Sequence, residues 1–481
     1  MTEVVRSAAE NPNALITANT FSVSSHWIYN DDYRLDAGPY SAGAFRALDA
    51  IEACSLFKAE LGSVCGTIWH PVQNQARSNF KRIYTDAEHG RAFLGSREMF
   101  FFPLRAEKFL SFTIPKLNDL TVPQGWLLIS RSGTVGNVLY VNHRLAQCAI
   151  TEHAIRIEPL RVPPGYLYAF LASRYGQPLM LKSSFGAVVA EIEPKHLAAL
   201  PLPIANESVQ KAIHNKIVRA YAFRDKANDL LDEADERLHR ALSVEHFSEE
   251  DVEYLGSAKQ PKAFIISSRE LGARFDATRH VPIARSAVAK LSHGRYPLVP
   301  LRELADEIYV APRFARIYVD KEHGTPLLQG SHLPMMRIHD LKYISNTQTE
   351  RMDRWIIHKG QVLVTCSGTL GRVALTSSAQ EGWAASQHIL RVTARPGESH
   401  PGFLAAFLMT AFGQHQLLSK SYGGVVDELT EDDTAAVIAP KLPFSAQKEV
   451  GICIEEAYEL RDKANELEDE AILDFEGLLS K

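Results

Sequence analysis

The sequence has little of what marks membrane, secreted or metal-binding proteins. Its 481 residues include only five cysteines, which are scattered and form neither a Cys-x-x-Cys pair nor a Cys/His metal spacing. No apolar run reaches the roughly 18 residues that a bilayer span needs. The N-terminal stretch lacks the continuous apolar core of a signal peptide. We therefore expect a cytoplasmic protein of two to four domains that binds no metal and has no membrane partner.

Motifs of the common enzyme classes are missing as well. The sequence contains no GxxxxGK[ST] phosphate loop, no GxGxxG turn after a strand, no [ND]PP[YF] tetrapeptide, no HExxH and no GxSxG elbow. We therefore expect a non-catalytic chain that binds no cofactor. Two alternatives stay open: a DNA methyltransferase or nuclease with unrecognised motifs, and a non-catalytic scaffold that binds protein.

A positive net charge is also missing, but the charge is unevenly distributed. The formal net charge is −5. Residues 205–255 carry a net charge of −5 and residues 445–481 a net charge of −7, which leaves +7 on the remainder. Such asymmetry indicates segments with different partners, although two solvated helical faces would give the same totals.

What the sequence does contain is a long internal repeat. FKRIYTDAEHG (80–90) returns as FARIYVDKEHG (314–324), with eight of eleven positions identical. Further segments return in the same order: GWLLISRSGTVGNV as GQVLVTCSGTLGRV, EHAIRI as QHILRV, GYLYAFLASRYGQ as GFLAAFLMTAFGQ, SFGAVVAEI as SYGGVVDEL, and AYAFRDKANDLLDEA as AYELRDKANELEDEA. The order and nearly constant shift indicate a duplicated unit and predict a pseudo-twofold molecule.

Each copy combines a mixed region with a long helix. Short apolar runs such as WLLIS and QVLVT, broken by Gly, Pro and Asn, predict strands. GYLYAFLASRYGQPLML has helical spacing. We therefore predict an α+β fold without βαβ alternation.

The long helices carry two apolar series with identical steps. The first comprises Ile213, Ile217, Ala220, Phe223, Ala227, Leu230, Ala234 and Leu238. The second comprises Val450, Ile454, Ala457, Leu460, Ala464, Leu467, Ala471 and Phe475. The spacing is close to a heptad seam and favours a coiled-coil pair, although each helix packing only on its own domain is the alternative. Ser208 and Ser445 are candidate N-caps.

Two kinds of segment are candidates for DNA contact. In the repeated SGT loops, Ser132, Thr134 and Thr369, with the nearby Arg131 and Arg372, are suited to binding phosphate, although a plain hairpin turn with Gly at positive φ explains the same pattern. The basic-aromatic stretches SNFKRIY and APRFARIY offer cations for phosphates or guanine edges, although solvated strands are an equal alternative: Arg77, Lys81, Arg82, Arg313 and Arg316. The histidines His153 and His388 are predicted to be hydrogen-bonded core residues.

Taken together, these features resemble the specificity subunit of type I restriction–modification systems. The matching residues are RLDAGPY and RFDATRH, the two SGT hairpins, SFGAVV and SYGGVV, and the two RDKAN helices, which together cover about residues 30–478. The resemblance divides the chain into an N-terminal extension (1–30), target-recognition domain 1 (31–203), a long helix (204–255), a linker (256–273), target-recognition domain 2 (274–443) and a second long helix (444–481).

The resemblance implies a function that the patterns alone do not give. Each recognition domain would bind half of an interrupted double-stranded DNA site, and the helices, paired antiparallel, would set the distance between the domains. The chain would bind two adenine-methyltransferase subunits, whose cofactor would be S-adenosylmethionine, and restriction/translocase subunits would complete a nuclease. Segments 92–101 and 326–336 differ between the copies and are candidates for reading different bases.

Overall fold

The structure is a computed structural model. It describes residues 3–6, 15–18, 23–30, 40, 43–71, 82–131, 135–182, 191–252, 264–268, 271, 274–313, 316–347, 349, 352–423 and 426–480. The chain forms two compact units. Unit 1 comprises residues 1–99, 106–221 and 467–481, and unit 2 comprises residues 100–105 and 222–466. The domain boundaries expected from the sequence stay a prediction.

Unit 1 contains the first copy of the repeat. Its strands are β1 (Glu3–Arg6), β2 (Leu15–Ala18), β3 (Phe57–Glu60), β4 (Cys65–Trp69), β5 (Tyr84–Thr85), β6 (Gly90–Leu94), β7 (Lys108–Ser111), β8 (Leu127–Ser130), β9 (Val138–Tyr140), β10 (Ala149–Ile150), β11 (Ala154–Pro159) and β12 (Pro201–Ile204). Its short helices are α1 (Ser25–Asn30), α2 (Ala44–Ala53), α3 (Leu61–Val64), α4 (His143–Ala146), α5 (Pro164–Ala172), α6 (Gly176–Lys182) and α7 (Pro194–Ala198).

The first long helix, α8 (Glu207–Leu242), runs from unit 1 into unit 2. The other helices of unit 2 are α9 (Pro282–Ser292), α10 (Pro401–Met409), α11 (Ala411–Ser419) and α12 (Glu431–Ala435). Its strands are β13 (Leu298–Pro300), β14 (Ala305–Val310), β15 (Tyr318–Val319), β16 (Gly324–Leu328), β17 (Lys342–Ser345), β18 (Val362–Thr365), β19 (Val373–Leu375), β20 (Ala384–Ala385), β21 (Ile389–Ala394) and β22 (Ile438–Pro440). The second long helix, α13 (Phe444–Gly477), begins in unit 2 and ends in unit 1.

The two units repeat the same sheet topology. Unit 1 has four-stranded sheets in the orders β4-β11-β8-β9 and β10-β6-β7-β5, and unit 2 has β14-β21-β18-β19 and β20-β16-β17-β15. The smaller pairs β3-β12 and β13-β22 also correspond. The predicted mixture of helix and strand, with a long C-terminal helix, is confirmed. Among the described residues, no helix combines the length and apolar character needed to cross a membrane.

A short apolar helix lies at the centre of each unit. Helices α5 and α10 each carry Pro at the first turn, where the missing N–H costs nothing. Seven of the nine residues in each helix are buried. Because these helices are apolar on every side, they can form only inside a core. In unit 2 the core also includes apolar residues of β18, β19 and both long helices.

The caps of the long helices differ from the prediction. Asn206, not Ser208, caps α8, because its side-chain oxygen accepts a 3.0 Å hydrogen bond from the Val209 N–H. Ser208 lies in the first turn and donates to the Asn206 side-chain oxygen. Ser445 lies inside α13, which begins one residue earlier. In each case the helix starts earlier than the serine, so the serine cannot occupy the cap position.

Candidate nucleic-acid interface

Four of the candidate DNA-binding residues lie outside the described residues, namely Arg77, Lys81, Ser132 and Thr134. The structure describes the other six. Three of them, Arg82, Arg313 and Thr369, are exposed, Arg316 and Arg372 are half-buried, and Arg131 is buried. These six residues therefore differ in how accessible they are to a macromolecular ligand.

The hairpins that flank the two SGT loops share one backbone contact, although residues 132–134 of the first loop lie outside the described residues. The Gly136 N–H donates to the Ser130 carbonyl oxygen and the Gly371 N–H to the Thr365 carbonyl oxygen, both at 3.0 Å. These glycines have φ of 87° and 77°, in the left-handed region that favours glycine. A glutamine from the following helix fixes each loop by donating to the glycine carbonyl oxygen at 2.9 Å: Gln177 in unit 1 and Gln414 in unit 2.

In unit 2 the remaining loop residues can be located. The Gly368 N–H donates to the Asp427 carbonyl oxygen at 3.1 Å, so it is engaged within the domain. Thr369 is exposed at the tip. Arg372 lies with its guanidinium 5.8 Å from the centre of the Phe101 ring. The loop has the geometry of a hairpin turn, and a phosphate contact through Thr369 stays a prediction.

The shared arginine of the two FxRIY segments has equivalent partners in the two units. In unit 1, Arg82 forms an ion pair with Glu152 and lies over the Phe93 ring, 5.2 Å from its centre. In unit 2, Arg316 donates to the side-chain oxygen of Gln387 at 2.6 Å. Glu152 and Gln387 occupy the first position of EHAIRI and QHILRV. The position is therefore conserved in geometry while the partner changes from a carboxylate to an amide.

Arg131 is held by two carboxylates. It lies 2.7 Å from Glu191 and 2.8 Å from Glu193. Glu193 also lies 3.2 Å from the His70 Nε2 atom. The pKa of Glu193 is below its usual value although burial would raise it, because Arg131 and His70 donate hydrogen bonds to this carboxylate. Arg131 is thus engaged inside the domain. Glu191 belongs to the repeated segment SFGAVVAEI and Glu193 follows it, about 60 positions beyond Arg131, so local sequence spacing did not link these residues.

A buried arginine in each unit was not singled out from the sequence. Arg156 in β11 donates to the carbonyl oxygens of Ile150, Thr151 and Ala154. Burial lowers the pKa of Arg156 to about 10. Its guanidinium lies 5.6 Å from the Trp69 ring centre.

Its counterpart makes the same set of contacts. Arg391 in β21 donates to the carbonyl oxygens of Ala385, Ser386 and Ile389 and lies 5.6 Å from the Tyr309 ring centre. Burial lowers its pKa to about 10 as well. The arginine shared by EHAIRI and QHILRV was the signal available in the sequence. These residues hold the strand beside the candidate interface in place.

The two histidines of the same segments are not core residues. His153 is exposed, and His388 is half-buried. Both stand one residue before the strand rather than within it, which explains the wrong prediction. His388 Nε2 lies 3.0 Å from Gln387 Nε2. Burial, together with the nearby Arg316 and Arg313, lowers the pKa of His388.

An open cleft of about 330 Å³ lies beside these residues in unit 2. Arg313, Ser367 and His388 line it, together with Tyr422 and Glu428. The Arg313 side chain is 81% exposed and lies 3.7 Å from Glu428. The cleft thus joins an exposed cation, the edge of the SGT loop and an aromatic ring on one face.

The candidate helix-pairing residues are mostly buried. In unit 1 the buried residues are Ile213, Ile217 and Phe475, and Leu467 is half-buried. In unit 2 the buried residues are Leu238, Val450, Ile454 and Leu460, and Phe223 and Leu230 are half-buried. Leu231 rather than Leu230 is the fully buried leucine at that turn.

Polar contacts join the helices within unit 2. Arg224 donates to the Asn465 side-chain oxygen at 2.9 Å, and Arg237 donates to the Glu449 carbonyl oxygen at 3.1 Å. As the residue number rises along α8, the partner's number falls along α13, so the paired segments run in opposite directions.

The segments that differ between the copies pair with each other. In unit 2 the Phe102 N–H donates to the Pro334 carbonyl oxygen at 2.7 Å, and the Met336 N–H donates to the Phe100 carbonyl oxygen at 2.9 Å. The Phe102 ring packs edge-on against Tyr458, with ring centres 5.2 Å apart. The ends of these segments therefore have a structural role, and base reading by the rest of the segments stays a prediction.

One group of three potential metal ligands occurs among the described residues: Asp235, His239 and His246. The two imidazole rings stack 3.8 Å apart at an interplanar angle of 18°. His246 Nε2 lies 2.9 Å from an Asp235 carboxylate oxygen, and His239 Nδ1 lies 2.8 Å from the Asp235 carbonyl oxygen. Asp235 therefore holds both imidazole rings through hydrogen bonds in this structure.

No protein-family model and no curated protein matches the chain. Among solved structures it is similar to the crystal structure of a type I restriction–modification S subunit from M. genitalium, with 12% identity and a TM-score of 0.37 over 89% of this chain and 96% of that chain. It is also similar to the HsdS subunit from Thermoanaerobacter tengcongensis, with 14% identity and a TM-score of 0.28 over 88% and 95% of the two chains. A structure that concerns assembly and conformational transition of the type I R-M system matches with 13% identity and a TM-score of 0.27 over 88% and 96%. These three solved structures all concern type I restriction–modification systems.

Proposed function

We propose that this chain is the DNA sequence-recognition subunit of a type I restriction–modification complex. The observation that carries the proposal is the duplication of a whole domain together with its long helix. Both copies have an arginine and a hairpin glycine with positive φ at equivalent positions of the same sheet topology, which supports the proposal. Two similar domains in one chain suit a ligand that presents two related surfaces, as the two halves of an interrupted DNA site do.

In this proposal each domain reads one half-site and the long helices separate the domains. The helices would pair antiparallel as a coiled coil and give a pseudo-twofold molecule. The opposite directions of α8 and α13 within unit 2 support this arrangement. Acidic residues on these helices, whose segments carry net charges of −5 and −7, would keep the helices off DNA and leave them to protein partners.

The chemistry of the proposed complex lies in its partners. Two methyltransferase subunits, which bind S-adenosylmethionine, would dock on the helices, and restriction/translocase subunits would complete a nuclease. The chain itself would select the DNA site on which the complex acts and would not catalyse a reaction. Its arginines near the candidate interface would contact phosphates and bases.

Sequencing of methylated bases tests the proposal. Host DNA is compared between cells that carry the chain with its methyltransferase partner and cells that carry the partner alone. The proposal expects a methylated, two-part motif only when the chain is present. An unchanged methylation pattern, combined with DNA affinity that does not depend on salt, would favour a protein-binding scaffold instead.

A further inference from the structure

The two copies differ in charge at one conserved contact. Arg82 and Arg316 occupy the same position of the repeat, but a carboxylate faces the first and an amide faces the second. The replacement of Glu152 by Gln387 keeps the length of the side chain and its acceptor oxygen. It changes the charge of the pair from zero to +1.

The unit 1 pair is self-contained. The Arg82 side chain is 35% exposed and that of Glu152 is 20% exposed, so solvent screens the pair only in part. Burial alone would raise the pKa of Glu152, but hydrogen bonds from its own backbone and from Arg82 hold that pKa below its usual value. Glu152 is therefore ionised at neutral pH and cancels the charge of Arg82.

The unit 2 arginine keeps its charge. Its guanidinium is positioned by the neutral Gln387 oxygen at 2.6 Å and by the Tyr318 hydroxyl at 3.4 Å. Arg313 adds a second cation on the same face, 81% exposed. After burial, Arg316 and Arg313 are the largest causes of the lowered His388 pKa, which indicates a positive local field.

Two glutamates that line the neighbouring cleft, Glu428 and Glu431, contact groups other than Arg316. Glu428 lies 3.7 Å from Arg313 and accepts a 3.2 Å hydrogen bond from the Tyr422 hydroxyl. Glu431 accepts from the Val310 N–H at 2.7 Å. None of these contacts involves Arg316.

We propose, on the basis of the function proposed above, that the two domains hold DNA unequally. Arg316 neutralises a backbone phosphate in the second half-site, with Gln387 as its positioning residue. Arg82 is a scaffold residue whose charge Glu152 removes from the interface. The physical reason is that only an uncompensated cation releases a counterion when it meets a phosphate.

The test is the salt dependence of DNA affinity for the full chain with its methyltransferase partner. The probe is a labelled duplex that carries the motif found by methylation sequencing. Each phosphate neutralised contributes about 0.9 to the slope of log affinity against log salt. Arg316→Gln and Gln387→Glu are each expected to reduce the slope by about 0.9. Glu152→Gln, which frees Arg82, is expected to increase it by about as much.

Two controls separate a specific contact from a general charge effect. The double variant Arg82→Gln with Glu152→Gln removes the whole neutral pair and is expected to leave the slope unchanged. Lys441→Gln removes one exposed charge of the same domain, beside the separate β13–β22 pair, and is also expected to leave it unchanged.

The outcomes distinguish this inference from the proposed function. If the unaltered complex binds the duplex without salt dependence, the DNA-recognition function itself fails. If it binds with salt dependence but the neutral double variant loses as much slope as Arg316→Gln, Arg82 also contacts phosphate and the inference is overturned. An unchanged slope in both Arg316→Gln and Gln387→Glu overturns the inference as well. Because the two substitutions affect different residues, misfolding of one variant cannot account for the same result in both.

Discussion

The Tyr168 hydroxyl donates a 2.6 Å hydrogen bond to the Glu468 carboxylate, a side chain that is only 1% exposed. The two residues lie 300 positions apart in the chain and meet inside unit 1. At the corresponding places of the repeat, unit 2 has Ala405 and Leu231, both buried. Unit 1 thus has a buried polar pair where unit 2 has two buried apolar residues.

We predict that Tyr168→Phe lowers the free energy of unfolding by about 2 kcal/mol, because a buried carboxyl group loses a hydrogen-bond donor. Urea unfolding of the full chain measures this. The double variant Tyr168→Phe with Glu468→Leu, which installs the residue found at position 231, is expected to recover most of the loss. A double variant that is less stable than Tyr168→Phe would show that Glu468 is held by other groups.

We predict that lengthening both long helices changes the gap between the half-sites. The insertion belongs after Tyr221 in α8 and after Glu466 in α13, because the division of the chain into units falls at these positions. One heptad adds about 10 Å at ~1.5 Å per residue, or roughly three base pairs at 3.4 Å each. It also rotates the helix by ~20°.

Methylation sequencing of cells that carry the lengthened chain and its partner reads the new gap. A longer gap between unchanged half-sites supports the proposal that the helices set the distance between the domains. A heptad in one helix alone serves as the control, and it should inactivate the complex because the apolar series no longer match. An active double insertion with the original gap would show that other contacts set the distance.

We predict that the buried arginines are needed for the stability of their own unit. Arg391→Met removes the guanidinium donor from the carbonyl oxygens of Ala385, Ser386 and Ile389, and we expect a loss of about 3 kcal/mol in the free energy of unfolding. Arg354→Met, which removes a partly exposed ion pair with Glu307, should cost less than about 1 kcal/mol. Hydrogen exchange of unit 2 amides locates the effect. Equal losses of unfolding free energy in the two variants would show that the buried arginine is no more important for stability than the partly exposed one.

We predict that acid weakens unit 2. Burial lowers the pKa of His239 below its usual value, despite the opposing contact with Asp235. The folded state therefore holds the neutral ring, while the unfolded chain binds a proton near pH 6.5. Stability is fully present above that pH and falls as pH drops below about 6.5 towards the folded pKa. Urea titrations at a series of pH values measure the free energy of unfolding, and His239→Gln should make its decrease in acid smaller. An unchanged pH profile would show that protonation of His239 does not cause the decrease.

We predict that the second domain reads only one half of the motif. Arg313→Ala and Thr369→Ala alter two exposed side chains at the candidate face of unit 2. Methylation sequencing should show relaxed specificity in one half-site, with the other half unchanged as an internal control. Simultaneous change in both halves would mean that the domains do not read independently.

The amino-acid sequence by itself determined the duplication and the local structure of each copy. The apolar steps placed the two long helices, and the Gly-rich turns placed the SGT hairpins, because periodicity and positive φ act over a few residues. The sequence could not place the caps correctly, since Asn206 and Ser208 are both good capping residues.

Only the tertiary structure decided which side chains meet. Arg131, Arg82 and Arg316 look alike as cations near a loop, yet their partners come from segments about 60 to 70 residues away and determine how much charge each presents. Tyr168 and Glu468 meet across 300 residues for the same reason. Pairing of this kind depends on how strands and helices are brought together, and local sequence patterns carry no information about it.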